Sequence, residues 1–395
     1  MTLRLASATA CFTLLALSSS RARATDCDAL DNPIYIAGSS AAKPFLAEIS
    51  KLLVNQTDPV SIVYVAEGSC AGIDAVLNGT PVKSTDTAPT SYWDSMDTEQ
   101  HCDLPAAGVT ADLGISDVFA SSCVDLPNGL PRTVGDFLGP VQTMTFVVPK
   151  ASTQQSISAE AAYYVYGFGK NSGVDPWTDP ASIFQRSADS GTQSMIAAAI
   201  GVPLNKWKGT PTTTSGDILQ RVVASSAPEA TIGILSTSEA QDDLSALNVL
   251  AYQHFDQSCG YYPDSQATAN DKRNVRDGHY ALWGPLHLFA PVGDDGYARN
   301  ASVRSIIGYV SGTKTVPSGV DMIYLEAQRH FVPQCAMQVT RSDEVGALQS
   351  FAPDKACGCY YDQLTTGQTS CTSCSVASDC SAPTPACNYG YCEAQ

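Results

Sequence analysis

The sequence predicts an α/β protein built on parallel strands and followed by a small disulfide-stapled module. Two observations carry this. Between about residues 27 and 352, apolar β-branched runs alternate with helical patterns, as strands joined by crossover helices do. Residues 357–395 are different: seven of these 39 residues are Cys, three are acidic and none is Lys or Arg. The 395 residues allow two ordinary domains and a sizeable core. With 44% apolar and 15% charged residues, the composition is that of a globular chain. A net charge of -17 argues against nucleic acid or an anionic membrane surface as partner. It leaves room for a small anion, because a site is local and net charge is global. Fourteen cysteines point to an oxidising compartment.

In chain order, Arg4, an apolar run from Leu5 to Leu17 and the triplet Ala22-Arg23-Ala24 read as a signal peptide over residues 1–24. Its removal takes three Arg and no acid, for a mature net charge of -20. No later stretch reaches 18 apolar residues, so no transmembrane segment is expected. Neither Cys11 nor Cys27 reads as a lipidated cysteine. The location expected is therefore periplasmic, cell-envelope or extracellular. The body then shows three strand ends of similar chemistry. The run Pro33 to Ala37 leads into Gly38-Ser39-Ser40-Ala41-Ala42-Lys43-Pro44 and a helical pattern with Phe45, Ile49, Leu52 and Leu53 on one face. The run Val60 to Ala66 leads into Gly68-Ser69-Cys70-Ala71-Gly72 and a helix carrying Ile73, Val76 and Leu77. The run Val109 to Gly114 leads into Ile115-Ser116-Asp117.

Such strand ends suit an oxyanion. The first backbone N–H groups of a helix lack intrahelical partners and carry partial positive charge. Glycine lets the backbone approach, and a serine hydroxyl donates and accepts. In open α/β sheets ligands bind beyond the carboxyl ends of the strands. Plain helix capping is the bland alternative for any one of them. A fourth segment is sharper: Arg186-Ser187-Ala188-Asp189-Ser190-Gly191-Thr192, followed by the apolar run Met195 to Ile200. Arg186 can grip a tetrahedral oxyanion with two parallel hydrogen bonds. Asp189-Ser190-Gly191 superficially resembles a serine-protease segment, but no histidine segment accompanies it and no Gly-x-Ser-x-Gly elbow occurs. The stretches 80–110 and 255–278, rich in Thr, Asp, Ser and Pro, read as surface insertions. Five histidines form no metal-ligand spacing. His279 and His287 flank a later apolar run and read as packing residues. Trp93, Trp177, Trp207 and Trp283 are too scattered for a stacking stripe and read as core or loop packing.

In the tail, Cys371-Thr-Ser-Cys374, Cys380, Cys387 and Cys392 read as a disulfide framework. Zinc is the rival, since Cys357-Gly-Cys359 and Cys371-x-x-Cys374 are close pairs. Seven is odd: one tail cysteine pairs with the body, pairs with another chain or stays free. The six body cysteines imply no metal site and no particular connectivity.

Together these segments resemble the periplasmic phosphate-binding proteins, the substrate-binding subunits of phosphate ABC transporters. Gly38 to Pro44 resembles the family's opening loop, Gly68 to Gly72 its second loop and Ile115-Ser116-Asp117 its Ala-Ser-Asp. Arg186-x-x-x-Ser190-Gly191-Thr192 is similar to its most specific motif, with the same spacing. Gly139-Pro140-Val141, Ile232-Gly233, Tyr280 to Phe289 and Phe331-Val332-Pro333 follow in matching order, so the resemblance covers about 32–335. It implies a two-lobed venus-flytrap with two hinge crossovers. Lobe one is expected at 27–142 plus 286–352, lobe two at 143–285 and the cysteine-rich module at 353–395. The ligand implied is inorganic phosphate or a related oxyanion, held by Ser39, Ser40, Ala41, Ser69 and Asp117 from one lobe and by Arg186, Ser190, Gly191 and Thr192 from the other. No cofactor, metal or catalytic residue is implied; the role is binding for uptake or sensing, with an ABC permease or an envelope component as partner. In this picture Asp117 accepts a proton from phosphate and turns away sulfate, which has none to give; capping or pairing with Arg186 is its alternative role. The chain departs from the pattern at Ala42, Lys43, Cys70, Ala188 and Asp189, and in the 80–110 stretch and the tail. An adhesin-like or envelope-associated protein on the same fold, and a secreted phosphoesterase, are the competing readings.

Overall fold

The computed structural model describes residues 25–317 and 319–394, so the expected signal peptide lies outside the described residues. Lobe one begins with β1 (Thr25–Asp26), β2 (Ile34–Gly38), α1 (Lys43–Val54), β3 (Ile62–Val65), α2 (Ser69–Leu77), β4 (Thr90–Trp93), β5 (Glu99–Asp103) and β6 (Leu113–Ser116). Strand β2 lies parallel between β3 and β6. Helix α1 carries Pro44 in its first turn, where a missing N–H costs nothing. It buries Phe45, Leu46, Ile49 and Leu53, a stripe of helical period, while Leu52 stays half-buried. The third strand end is followed by a 3-10 turn, Ala120–Ser122, instead of a helix.

The stretch 80–110, expected as a surface insertion, carries regular structure. Its centre forms a hairpin of β4 and β5 that extends the sheet antiparallel to β3. Trp93 is buried against lobe one's apolar cluster, and the Cys27–Cys102 disulfide staples the outer strand. Turn-rich composition at Asp94 to Thr98 masked the alternation of the flanking strands.

Two long strands join the lobes. Strand β7 (Val134–Pro149) pairs along its first half with β14 (Trp283–Pro291). Its second half enters lobe two and pairs with β11 (Gly233–Ser236) and β12 (Leu247–Val249). Strand β14 in turn pairs with β6 of lobe one. One sheet of order β1-β5-β4-β3-β2-β6-β14-β7-β11 therefore runs through both lobes. The expected crossover positions, 142/143 and 285/286, fall inside these strands. His287 on β14 is fully buried and its Nδ1 lies 2.9 Å from the Asp136 carboxylate on β7, a hinge-packing role.

Lobe two adds β8 (Ser156–Ser158), α3 (Ala159–Phe168), β9 (Phe184–Gln185), α4 (Gly191–Ile200), β10 (Thr210–Pro211), α5 (Ser215–Val223), α6 (Thr237–Gln241), β13 (Ala251–Gln253) and α7 (Arg273–Arg276). Its core joins Phe146, Tyr166, Ile196, Ile218 and Ile234. Lobe one has its own cluster around Ile36, Phe45, Ile62, Ile115 and Ile306, the last from α8 (Ala301–Val310). All four tryptophans are buried.

After α9 (Met322–Gln328) the chain meets the crossover at Val332, whose backbone pairs with Val141. Residues 334–352, expected with lobe one, touch both lobes. Gln338 N–H donates to the Arg276 carbonyl and Arg341 Nη1 to the Ala281 carbonyl, both 143–285 residues. Glu344 accepts from Phe119 N–H at 3.2 Å on the lobe-one side. Two short hairpins, β15 (Val339–Thr340) with β16 (Gln349–Ser350) and β17 (Ala386–Asn388) with β18 (Tyr391–Glu393), flank α10 (Gly358–Thr366). The tail cysteines form Cys359–Cys371, Cys374–Cys387 and Cys380–Cys392. The seventh, Cys357, pairs with Cys335 of the body. All seven are thus paired in disulfides, as the disulfide reading of the tail expects. The body adds Cys70–Cys123, and Cys259 is exposed and has no disulfide partner among the described residues.

Candidate functional site

Strand ends from both lobes converge on one buried spot. Ser39, just beyond β2, is 1% exposed, and its Oγ lies 2.7 and 2.6 Å from the two carboxylate oxygens of Asp117 beyond β6. Ser69 opens α2; its Oγ donates to Asp117 Oδ2 and accepts from Asp117 N–H, each at 3.1 Å. The Ala41 N–H does not face the opposite lobe: it donates to Ser39 Oγ at 3.1 Å, as does that of Ala42 at 3.2 Å. That local turn orients the Ser39 hydroxyl toward Asp117.

From lobe two, Arg186 follows β9 and is 3% exposed. Its Nη2 donates to Ser40 Oγ of lobe one at 3.2 Å and to the Thr213 carbonyl at 3.2 Å. Its Nη1 donates to Ser215 Oγ, and its buried Nε has no partner among the described residues. Ser190 is the N-cap of α4, accepting from Gln193 N–H; Thr192 is buried one residue past Gly191.

The two helix N-termini meet face to face. Cys70 N–H at the start of α2 donates to the Asp189 carbonyl at 3.1 Å, a backbone bond between lobes. Glycine is required at two points here. A Cβ on Gly191 would run into Ser69 Oγ and lie 2.8 Å from Asp117 Oδ2. Gly68 has φ 117°, and a Cβ there would sit 2.6 Å from the Asp189 carbonyl oxygen. Ser39, Ser69, Asp117 and Gly191 meet at this contact and Arg186 reaches Ser40 across the lobes, whereas Ala41 and Ser190 use their polar groups locally and Thr192 is buried beside Gly191.

The electrostatics are dominated by burial. Burial, with Glu239 adding to it, pushes the Asp117 carboxyl up to about 6 against the hydroxyls of Ser39 and Ser69 and the charge of Arg186. Burial likewise lowers the Arg186 guanidinium while Glu239, Asp117 and Asp217 support its charge. Burial raises the Glu239 carboxyl, opposed by Arg186, Ser215 and Ser236. Glu239, whose charge acts on both Asp117 and Arg186, is a neighbour that the sequence reading did not name. The spacing Ser236-Thr237-Ser238-Glu239 matches a capping box and could have flagged the start of α6, though not its proximity to Arg186. In the structure Ser236 Oγ caps α6 and donates to Glu239 Oε2 at 3.0 Å.

Chemically the spot offers donors and one guanidinium around a carboxylate. The five histidines are engaged elsewhere: with Thr90, Tyr252, Asp277, Asp136 and the Asn270–Asp242 pair. No site serine reaches one.

No family model matches the chain, and no curated protein does. Solved structures do match in fold. One, assigned as a phosphate ABC transporter substrate-binding protein with bound phosphate from Clostridium perfringens, is 15% identical, with 76% of this chain and 99% of that chain covered and a TM-score of 0.53. An ABC-type phosphate transport receptor from Vibrio cholerae is 13% identical, with 76% and 100% covered and a TM-score of 0.48. The first shows the two-lobed binding-protein fold over 76% of this chain. None of the helices among the described residues is long and apolar enough to cross a membrane.

Proposed function

We propose that this chain binds inorganic phosphate between its lobes without transforming it. The observation that carries the reading is Arg186. A buried guanidinium from lobe two reaches a lobe-one serine, keeps its Nε–H without a partner among the described residues and stands near a carboxylate framed by Ser39 and Ser69. A buried donor without a partner costs about 1–3 kcal/mol, and an oxyanion supplies the missing acceptor. The fold-level likeness to a protein with bound phosphate supports the same ligand.

Asp117 gives the preference for phosphate. Near neutral pH phosphate keeps at least one proton and donates it to the carboxylate. Sulfate is fully ionised and meets an uncompensated charge. Ser39, Ser40 and Ser69 contribute hydroxyls; Gly191 and Thr192 contribute backbone N–H groups at the start of α4. The Ala41 backbone shapes the loop. Binding serves uptake or sensing outside the cytoplasm, in keeping with six disulfides. The partner is an ABC permease, or an envelope component reached through the C-terminal module.

Isothermal titration with phosphate and sulfate tests this on the wild type and on Arg186→Ala. The expected result is submicromolar phosphate binding that weakens at least about 100-fold in the variant, which is about 2.7 kcal/mol. Equal binding by the two proteins, or none by the wild type, rejects the reading.

A further inference from the structure

Residues 341–348 join β15 to β16 and lie where the two lobes meet, past residue 335, where the sequence resemblance to the binding-protein family ends. The base of this loop is seated on lobe two. Gln338 N–H donates to the Arg276 carbonyl at 2.9 Å. Leu348 and Val339 pack over Gly278, where a Cβ would lie 2.6 Å from Leu348 Cδ1 and 3.1 Å from Val339 Cγ2. Arg341 is buried; its guanidinium stacks 3.9 Å from the Trp283 ring centre, and its Nη1 donates to the Ala281 carbonyl at 3.1 Å. The loop's hydrogen bonds to lobe one come from one side chain among the described residues. Glu344 Oε2 accepts from Phe119 N–H at 3.2 Å and from Ser122 Oγ at 3.4 Å, in the turn that follows Asp117. A Cβ on Gly284 of β14 would lie 3.4 Å from the Asp117 carbonyl oxygen and 4.0 Å from Glu344 Oε1, so the loop's carboxylate stands directly behind the floor of the site.

We propose that loop 341–348 is a latch across the cleft: it rides on lobe two, and its Glu344 carboxylate holds the Phe119–Ser122 turn of lobe one only while the lobes are closed, so that its release accompanies ligand entry and exit. This rests on the reading that the ligand is held between the lobes. Hinge opening carries the Phe119 turn away from a loop seated on the other lobe. The two bonds of Glu344 then break in the same event that parts Arg186 from Ser40 and Cys70 N–H from the Asp189 carbonyl. The seat is built to let go. Glu344 Oε1, Arg341 Nε and Trp283 Nε1 are buried and have no partner among the described residues. Val345 packs against lobe two's apolar cluster but holds φ 53°, a left-handed conformation that a β-branched residue rarely adopts, in a turn closed by Gly346 N–H on the Asp343 carbonyl at 3.0 Å. Unpaired buried polar atoms and a strained turn make this contact costly to keep, as suits a segment that opens locally.

The test compares the wild type with Glu344→Ala by the rates at which radiolabelled inorganic phosphate binds and is chased off by unlabelled phosphate. The variant removes the hold on lobe one and leaves Arg341, Val345 and the β15–β16 hairpin in place. Dissociation is expected to quicken at least about tenfold, which is about 1.4 kcal/mol. Association is expected to be no slower than in the wild type, because a cleft that opens more readily admits phosphate more readily. A folded E344A with wild-type dissociation, or with slowed association as a mere brace of Asp117 would give, overturns the proposal while leaving phosphate binding intact. Should E344A not fold, hydrogen exchange on the ligand-free wild type decides. The amides of Phe119 and Cys70, bonded across the cleft to Glu344 and to the Asp189 carbonyl, are expected to exchange at matching rates, because one opening frees both. Unmatched rates show that the two contacts break separately and overturn the latch. A wild type that binds no phosphate removes the functional reading itself, and the exchange comparison, which needs no ligand, still decides the latch.

Discussion

Asp117 is a carboxylate placed where a carboxylate is costly. It is 2% exposed and its carboxyl is pushed up to about 6. The folded chain therefore holds a proton there that the unfolded chain has already released between about pH 4 and 6. Stability from this group is fully present below the unfolded value and is lost as pH rises through about 6. Asp117→Asn keeps the hydroxyl contacts and removes the charge. It is expected to raise the melting temperature at pH 7.5 more than at pH 4, by an amount on the order of 1–3 kcal/mol in stability. It is also expected to narrow the phosphate-over-sulfate preference. Calorimetric scans at the two pH values and paired titrations check both; an unchanged preference refutes the selective role. Asp117 and Arg186 were legible in the sequence because each ends a recognisable strand–loop segment. Glu239 was not, because its importance comes from a neighbour 53 positions away in number that only the folded lobe brings close.

At the scale of elements, the facing N-termini of α2 and α4 define the site. Their approach requires that residue 191 have no side chain. Gly191→Ala adds one methyl at the first turn of a helix, where alanine is otherwise favourable. It leaves lobe two intact and obstructs only the contact with Ser69 and Asp117. Phosphate affinity is expected to fall at least about tenfold, with far-UV circular dichroism unchanged. A variant that binds as tightly as the wild type shows that the lobes do not close here. The helices themselves were readable from period and capping: the α1 stripe differs from expectation at Leu52, which stays half-buried, and at Leu46, which is buried as well. The β4–β5 hairpin was not readable, because its strands are short and its partner Cys27 lies 75 residues away from Cys102. Sheet edges of this kind are set by long-range pairing, which local composition does not encode.

For the whole molecule, the continuous sheet explains how the lobes stay in register: β14 pairs with the first half of β7, from Val134 to Thr143, with one shift in register between Pro285 and His287. Residues 334–352 and the module add a second connection. Arg341 stacks on Trp283, 3.9 Å from its ring centre, while Glu344 reaches Phe119. Arg276 bonds Asp362 and the Gly358 carbonyl of α10, and Tyr360 of α10 bonds Asp321 beside α9. The tail's cysteine density announced a stapled module in the sequence. Its docking depends on scattered polar contacts, on Cys335–Cys357 and on Tyr361 and Leu364 packing into the larger apolar cluster, long-range contacts that local composition does not announce. The central claim is that segments of both lobes hold one tetrahedral anion. Soaking crystals of the protein with arsenate and measuring anomalous scattering tests it most directly. The account predicts an arsenic peak within hydrogen-bonding reach of Arg186 Nε and of the Ser39, Ser69 and Asp117 side chains together. A peak bound elsewhere, with Arg186 and Asp117 untouched, would contradict it.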